Sequence, residues 1–285
     1  MLINCSRQLP KFAEYFAKKH NLQIVDSPIW HFNDGEFYVQ LANIYYPNRI
    51  YLLINTLDDA HDNLFKLCLL SHSLKLNQSP KEIIAVLPYL PYSRQDKPQY
   101  NFSLASGFVI DMLFCAGITK IITYDLHSDL VKLNSKLEIQ NIIPYSLFAN
   151  HARNSVNLNN AIVISPDEGA KKRAGFLAQE LGIALVVAQK IRKNSNVEIF
   201  FANIPMAENY IIVDDIIVSG ATILKTTELI VAKNPSCKIF IYVTHALFAA
   251  KTAQIFNHPN ILCVTAMFAS KYSTNNFKQL SLVEM

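Results

Sequence analysis

Two acids and a short polar loop carry the clearest chemistry in this chain. The thirteen residues Tyr210–Thr222 run apolar to Val213, then Asp214 and Asp215, then a loop ending in Ser219, Gly220, Ala221 and Thr222. A helical pattern follows from Ile223. The spacing predicts a buried strand that opens at its carboxyl end onto a helix N-terminus. Free backbone N–H groups there, with two hydroxyls, suit a phosphate. The two acids can accept hydrogen bonds from sugar hydroxyls or neighbour a bound cation. An ordinary strand-to-helix turn with an acidic cap is the plainer reading of the same residues.

Four further groups fall just after apolar runs. Arg94-Gln95-Asp96-Lys97 follows a proline-stiffened stretch, Pro88 to Tyr92. An arginine binds phosphate through two parallel hydrogen bonds and a lysine as a point charge; a solvated charged loop is the alternative. Asp125-Leu126-His127 offers an acid and an imidazole, for a metal, for a phosphate oxygen or merely for the surface. Asp167, in Ser165-Pro166-Asp167-Glu168-Gly169, could cap a helix or help to hold Mg2+ with phosphates. Lys190, Arg192 and Lys193 lead into Asn194-Ser195-Asn196, either a mobile cationic loop that neutralises charge on phosphate oxygens or a solvated hairpin. Earlier, Phe32-Asn33-Asp34-Gly35-Glu36 sets an aromatic ring beside acids, which suits an adenine or a plain glycine turn.

Alternating elements must position these groups. Strands are expected at 50–54, 82–87, 120–124, 161–164, 184–188, 210–213, 238–244 and 261–264. Helices are expected at 59–77, 104–116, 145–153, 169–181, 223–233 and 248–256. Such alternation argues for parallel sheets covered by helices on both faces, where ligands gather beyond the carboxyl ends of the strands. Two passes of the pattern imply two α/β domains, 1–144 and 145–285.

The bulk numbers exclude several classes. Of 285 residues, 51% are hydrophobic and 17% charged, a globular composition. A net charge of +4, from 26 basic and 22 acidic residues, gives no footprint for nucleic acid or a membrane surface. The chain has no G-x-x-x-x-G-K-[ST] and no G-x-G-x-x-G, so a triphosphate would be held without a P-loop. Five scattered cysteines without C-x-x-C, no signal-peptide pattern and no bilayer-length apolar run read as a cytoplasmic chain.

In this order the segments resemble the ribose-phosphate diphosphokinase family, also called phosphoribosyl pyrophosphate synthetases. The resemblance runs from about Trp30 to Ala266, on Phe-x-Asp-Gly-Glu, Tyr-x-Arg-Gln-Asp-Lys, Asp-Leu-His, Pro-Asp-x-Gly and Asp214-Asp215-x-x-x-Ser219-Gly220-Ala221-Thr222. It implies two domains of the type I phosphoribosyltransferase kind, each a mainly parallel sheet flanked by helices, with the active site between them. ATP would be bound by Arg94, Gln95 and Asp96, with Phe32, Asp34 and Glu36 reaching the adenine from a neighbouring subunit. His127 and Asp167 would serve Mg2+. Asp214, Asp215, Ser219, Gly220, Ala221 and Thr222 would hold ribose 5-phosphate, and Lys190 and Arg192 would be catalytic. The implied activity is transfer of the diphosphoryl group of MgATP to ribose 5-phosphate, in a homo-oligomer of dimers that assemble into hexamers. Val218 and Ala221 depart from the family pattern. They motivate the alternatives of a larger acceptor such as ADP-ribose, or of a regulatory paralogue without turnover.

Overall fold

The computed structural model describes residues 1–5, 9–97, 104–133, 135–193, 196–248, 255, 257–270 and 277–279, with backbone alone for 190–193, 196–198 and 277–279. The chain divides into two compact units, Met1–Ile143 and a second that begins at Pro144.

The first unit runs β1 (Leu2–Asn4), α1 (Pro10–His20), β2 (Ile24–Asp26), β3 (Ile29–His31), β4 (Phe37–Val39), β5 (Arg49–Leu53), α2 (Ala60–Asn77), β6 (Glu82–Leu87), α3 (Ala105–Cys115), β7 (Lys120–Tyr124), α4 (Leu130–Leu133) and β8 (Glu138–Ile142). Its sheet has the order β2-β1-β5-β6-β7-β8, with parallel pairs throughout. The central strands read as unbroken apolar runs because helices cover both faces. Ile83, Ile84, Ala85, Val86 and Leu87 are all at most 3% exposed. Leu64, Leu67, Leu70 and Leu74 of α2 pack on the same core as Ile50, Leu52 and Ile121. Each such fully buried side chain stabilises the fold by roughly 1.5–3 kcal/mol.

The second unit runs α5 (Tyr145–Ser155), β9 (Ala161–Ser165), α6 (Lys171–Leu181), β10 (Ala184–Val187), β11 (Gln189–Lys193), β12 (Asn196–Phe200), β13 (Asn209–Ile217), α7 (Ala221–Lys233), β14 (Lys238–Ala246), β15 (Ile261–Ala269) and β16 (Phe277–Gln279). Its sheet order, β10-β9-β13-β14-β15-β16, repeats that of the first, again with parallel pairs. Each unit also inserts a two-stranded antiparallel ribbon before its third sheet strand: β3–β4 in the first and β11–β12 in the second. The fold is therefore α/β, built twice on one plan. In both sheets the strand order reverses beside the first strand, between β1 and β5 and between β9 and β13. Such switch points leave a crevice at the carboxyl ends of the strands.

Several expectations from sequence need correction. The strand expected at 210–213 continues to Ile217, so Asp214 and Asp215 lie on β13 and not in a loop beyond it. Pairing with β14 carries it on, through Asp214↔Val243 to Ile217↔Ala246. The strands β1, β2, β8 and β16 and the helix α1 have no counterpart in the expected pattern. The first two strands are only three residues long. The β8 strand, Glu-Ile-Gln-Asn-Ile, is a partly exposed edge without an apolar run. The helix expected at 248–256 lies outside the described residues apart from Phe248 and Ile255.

Candidate active site

The second unit builds its site at the switch point. The β9–β13 ladder ends at Ile212↔Ile164, whereas β13 stays paired with β14 as far as Ile217↔Ala246. Among the described residues the β9–β13 register ends at Ile212, and both acids fall on β13 beyond that point. Asp215 is 4% exposed and Asp214 half-buried. The backbone N–H of Asp215 donates to Oδ1 of Asp214 at 2.9 Å. Burial holds the Asp214 carboxyl well above the usual carboxylate range, and the charges of Asp215 and Asp167 add to the effect.

Asp167 reaches this neighbourhood from the turn after β9. Its Oδ1 accepts the N–H of Ala170 at 3.0 Å, and Ser165 Oγ donates to its carbonyl at 2.7 Å. The helix-cap reading of Asp167 does not hold, since α6 has Ala170 at its N-cap position and no side-chain cap: Asp167 fastens the preceding turn, and its charge still acts on Asp214. Arg173, on the first turn of α6, donates from Nη1 to the Gly169 carbonyl at 3.0 Å and brings Nη2 to 3.6 Å from Asp215 Oδ2.

The far wall is the start of α7. Gly220 precedes the helix with φ +75°, a left-handed conformation that glycine adopts without a Cβ penalty. No side chain caps this end of α7. The first-turn N–H groups of a helix have no intrahelical acceptor, which makes this end a candidate anion site. Ser219 and Ala221 are exposed, Thr222 is partly exposed, and Ser219 Oγ accepts from Ala221 N–H at 3.4 Å. Lys190 and Arg192 sit on β11 at register positions opposite Ile199 and Val197, so the basic stretch is an antiparallel ribbon.

In the first unit the other expected residues follow neighbouring strands. The loop after β6 is fastened at several points. Thr56 Oγ1 donates to the Tyr89 carbonyl, Gln95 N–H to the Tyr92 carbonyl at 2.9 Å, and Ser106 Oγ to the Gln95 carbonyl at 2.8 Å. This leaves Arg94 and Gln95 exposed and Asp96 partly so. Tyr92 has φ +63° and its hydroxyl meets His61 Nδ1 at 2.7 Å. After β7, Asp125 is buried with φ +43°, Leu126 N–H donates to Asn141 Oδ1, and His127 stands exposed. Non-glycine residues in this conformation are strained, and strain of this kind collects at ligand loops. Phe32, Asp34 and Glu36 are exposed on the turn of the β3–β4 ribbon, where Gly35 has φ +93° and the Phe32 ring lies 4.5 Å from that of Tyr38.

Sequence reasoning missed Arg173. The four-residue step from Gly169 to Arg173 was the available signal, because a side chain on a helix's first turn leans back towards the preceding loop.

Residues 1–117 match the family described as the N-terminal domain of ribose phosphate pyrophosphokinase, and residues 137–258 match the phosphoribosyl transferase domain. The ribose-phosphate pyrophosphokinase of Ralstonia nicotianae is 30% identical over 248 residues, covering 86% of this chain and 78% of the relative. The chain belongs to the ribose-phosphate pyrophosphokinase family. It is therefore a transferase by descent. The Campylobacter jejuni ribose-phosphate pyrophosphokinase is 29% identical over 278 residues, covering 95% of this chain and 89% of that one. The crystal structure of phosphoribosylpyrophosphate synthetase from Mycobacterium smegmatis has the same fold, with TM-score 0.85 at 22% identity over 100% of this chain and 95% of that chain. As a ribose-phosphate pyrophosphokinase family member, the chain has its acids and the α7 N-terminus within the residues matched to the phosphoribosyl transferase domain.

Among the described residues no three His, Cys, Asp or Glu side chains form a ready-made metal cage. Mg2+ does not need one: it keeps waters and binds one or two carboxylates together with substrate phosphates. Asp167, Asp214 and Asp215 are hard oxygen donors, and their mutual repulsion around Asp214 is what a divalent cation would relieve. The residues present fit that ion.

Proposed function

We propose that this chain transfers the β,γ-diphosphoryl group of ATP to the anomeric hydroxyl of ribose 5-phosphate, giving phosphoribosyl pyrophosphate and AMP. The observation that carries the sugar half is the opened edge of β13, with Asp214 and Asp215 on it and the uncapped α7 N-terminus beyond. In this reading the 5-phosphate rests on the N–H groups of Ser219–Thr222, and the two acids take hydrogen bonds from the ribose hydroxyls. Ribose oxygens need acceptors and the phosphate needs donors, and the crevice offers each at opposite ends.

The first unit would hold the nucleotide through Arg94, Gln95 and Asp96 on the fastened loop after β6. Phe32, Asp34 and Glu36, exposed on their ribbon, would reach the adenine of a neighbouring subunit in a dimer-based homo-oligomer. His127 and Asp167 would each serve Mg2+, which would supply charge neutralisation for the phosphates. The sugar oxygen then forms its bond to the β-phosphorus, the bond to the α–β bridging oxygen breaks, AMP carries off that electron pair, and the hydroxyl proton passes to solvent or a nearby base. Lys190 and Arg192 would counter the negative charge that builds on the transferring group. Such a reaction asks mainly for alignment and charge neutralisation. All five cysteines are unpaired, which supports a reducing, cytoplasmic setting. Among the described residues no helix is long and apolar enough to cross a membrane.

The deciding measurement is AMP formation, followed by chromatography, from ATP and Mg2+ with ribose 5-phosphate or with ADP-ribose as acceptor. We expect AMP with ribose 5-phosphate alone. No AMP with that acceptor, from folded and Mg2+-supplied protein, would overturn the reading.

A further inference from the structure

Arg173 takes no part in the chemistry above, yet it touches both walls of the crevice. Nη1 donates to the carbonyl of Gly169, in the turn that carries Asp167, at 3.0 Å, and Nη2 lies 3.6 Å from Asp215 Oδ2 on β13. The two side chains are 11% and 5% exposed, so this is a shielded pair, unlike Lys171–Glu168 on the same turn, at 56% and 64%. The register between β9 and β13 has ended by then, at Ile212↔Ile164. One guanidinium thus spans the gap that the two strands leave open. Arginine suits this task because its planar fork presents donors at fixed angles, while a lysine offers one mobile point charge.

We propose that Arg173 is a positioning residue for the sugar-phosphate site. It fixes the spacing between the Asp167 turn and the Asp215 carboxylate, and so the width of the mouth that receives the ribose. This rests on the reading of the crevice as the ribose 5-phosphate site. An ion pair that served folding alone would change thermal stability and leave substrate affinities in proportion.

The test uses the full chain and the variants Arg173→Gln, Arg173→Lys and Lys171→Gln. Calorimetry gives the ribose 5-phosphate Kd, and steady-state kinetics gives KM for each substrate. Arg173→Gln should weaken ribose 5-phosphate by about tenfold or more while KM for ATP stays within about twofold. Arg173→Lys should restore part of that loss, and Lys171→Gln should match the parent chain. Unchanged sugar-phosphate affinity in Arg173→Gln, or equal losses for both substrates, would overturn the proposal. Should Arg173→Gln not fold, Arg173→Lys decides: about a threefold or larger loss confined to the sugar phosphate supports the assignment, and none refutes it. The parent chain separates the two readings. If it binds ribose 5-phosphate but releases no AMP, the catalytic reading falls and the positioning role is still judged on Kd. If it binds no ribose 5-phosphate, both fall.

Discussion

Oδ1 of Asp214 accepts the backbone N–H of Asp215 at 2.9 Å, which ties the first carboxyl back onto the strand beside the second. Consecutive strand residues point to opposite faces of a sheet, so the pair would normally separate. Here β13 has lost its β9 neighbour, and Asp214 is held in a field made by burial, by Asp215 and by Asp167. Arg173 stands beside Asp215. Burial and like charges thus act together on one acid, and the first prediction follows from that.

A carboxyl held above its ordinary value binds its proton more tightly folded than unfolded. Its contribution to stability is complete below the unfolded value, about pH 4, and is lost as pH rises through the elevated folded value. Asp214 is such a group. The Asp214→Asn variant should therefore melt higher than the parent chain at neutral and alkaline pH, with the advantage vanishing towards pH 4. Thermal melts across pH measure this, and parallel curves would contradict it. The same variant should lose catalytic turnover.

Asp167 fastens the turn before α6 and is also proposed for the metal, and two substitutions separate the roles. Asp167→Asn retains an acceptor for the Ala170 N–H and should keep its melting temperature. Asp167→Ala removes that acceptor and should cost about 1 kcal/mol. Both should need more Mg2+ for half-maximal rate. If Asp167→Asn keeps the parental Mg2+ dependence, the residue only fastens its turn.

Gly220 sits at φ +75° where the cradle turns into α7. A Cβ there costs about 1–2 kcal/mol for the left-handed backbone and tilts the first-turn N–H groups. Gly220→Ala should raise KM for ribose 5-phosphate and lower stability, while Gly220→Asn should recover most of the stability, since asparagine tolerates this conformation. Denaturant melts alongside acceptor titrations read both effects. A Gly220→Ala chain with parental acceptor affinity would remove the phosphate from this helix end.

Lys190 lies on β11, opposite Ile199 in register. Its charge is wanted mainly while negative charge accumulates on the transferring group. Lys190→Ala should lower kcat by about a hundredfold or more, with ATP affinity changed little. Rapid-quench turnover and equilibrium nucleotide binding give the two numbers, and equal losses in both would place Lys190 in ground-state binding instead.

Much of this molecule was legible in one dimension. Long apolar runs such as Glu82–Leu87 and Lys120–Tyr124 could be buried only as central parallel strands, and the polar segments after them fell at carboxyl ends. Short or polar-edged elements were not legible. Leu2–Asn4 is too brief to show a period, and Glu138–Ile142 forms a strand only because β7 gives it a partner. The α6 helix was readable, but the destination of Arg173 was not, because nothing local says that β13 lies within its reach.

The residue types alone settled the alternating α/β plan and the chemistry available: acids for sugar hydroxyls, small polar residues for phosphate, and basic residues for a triphosphate. Folding decided where that chemistry becomes usable. Hydrogen-bond register is a property of strand pairs, so only the assembled sheet shows β13 losing one neighbour at Ile212 and keeping the other to Ile217. That loss makes the crevice, and the distance that Arg173 spans across it exists only in three dimensions.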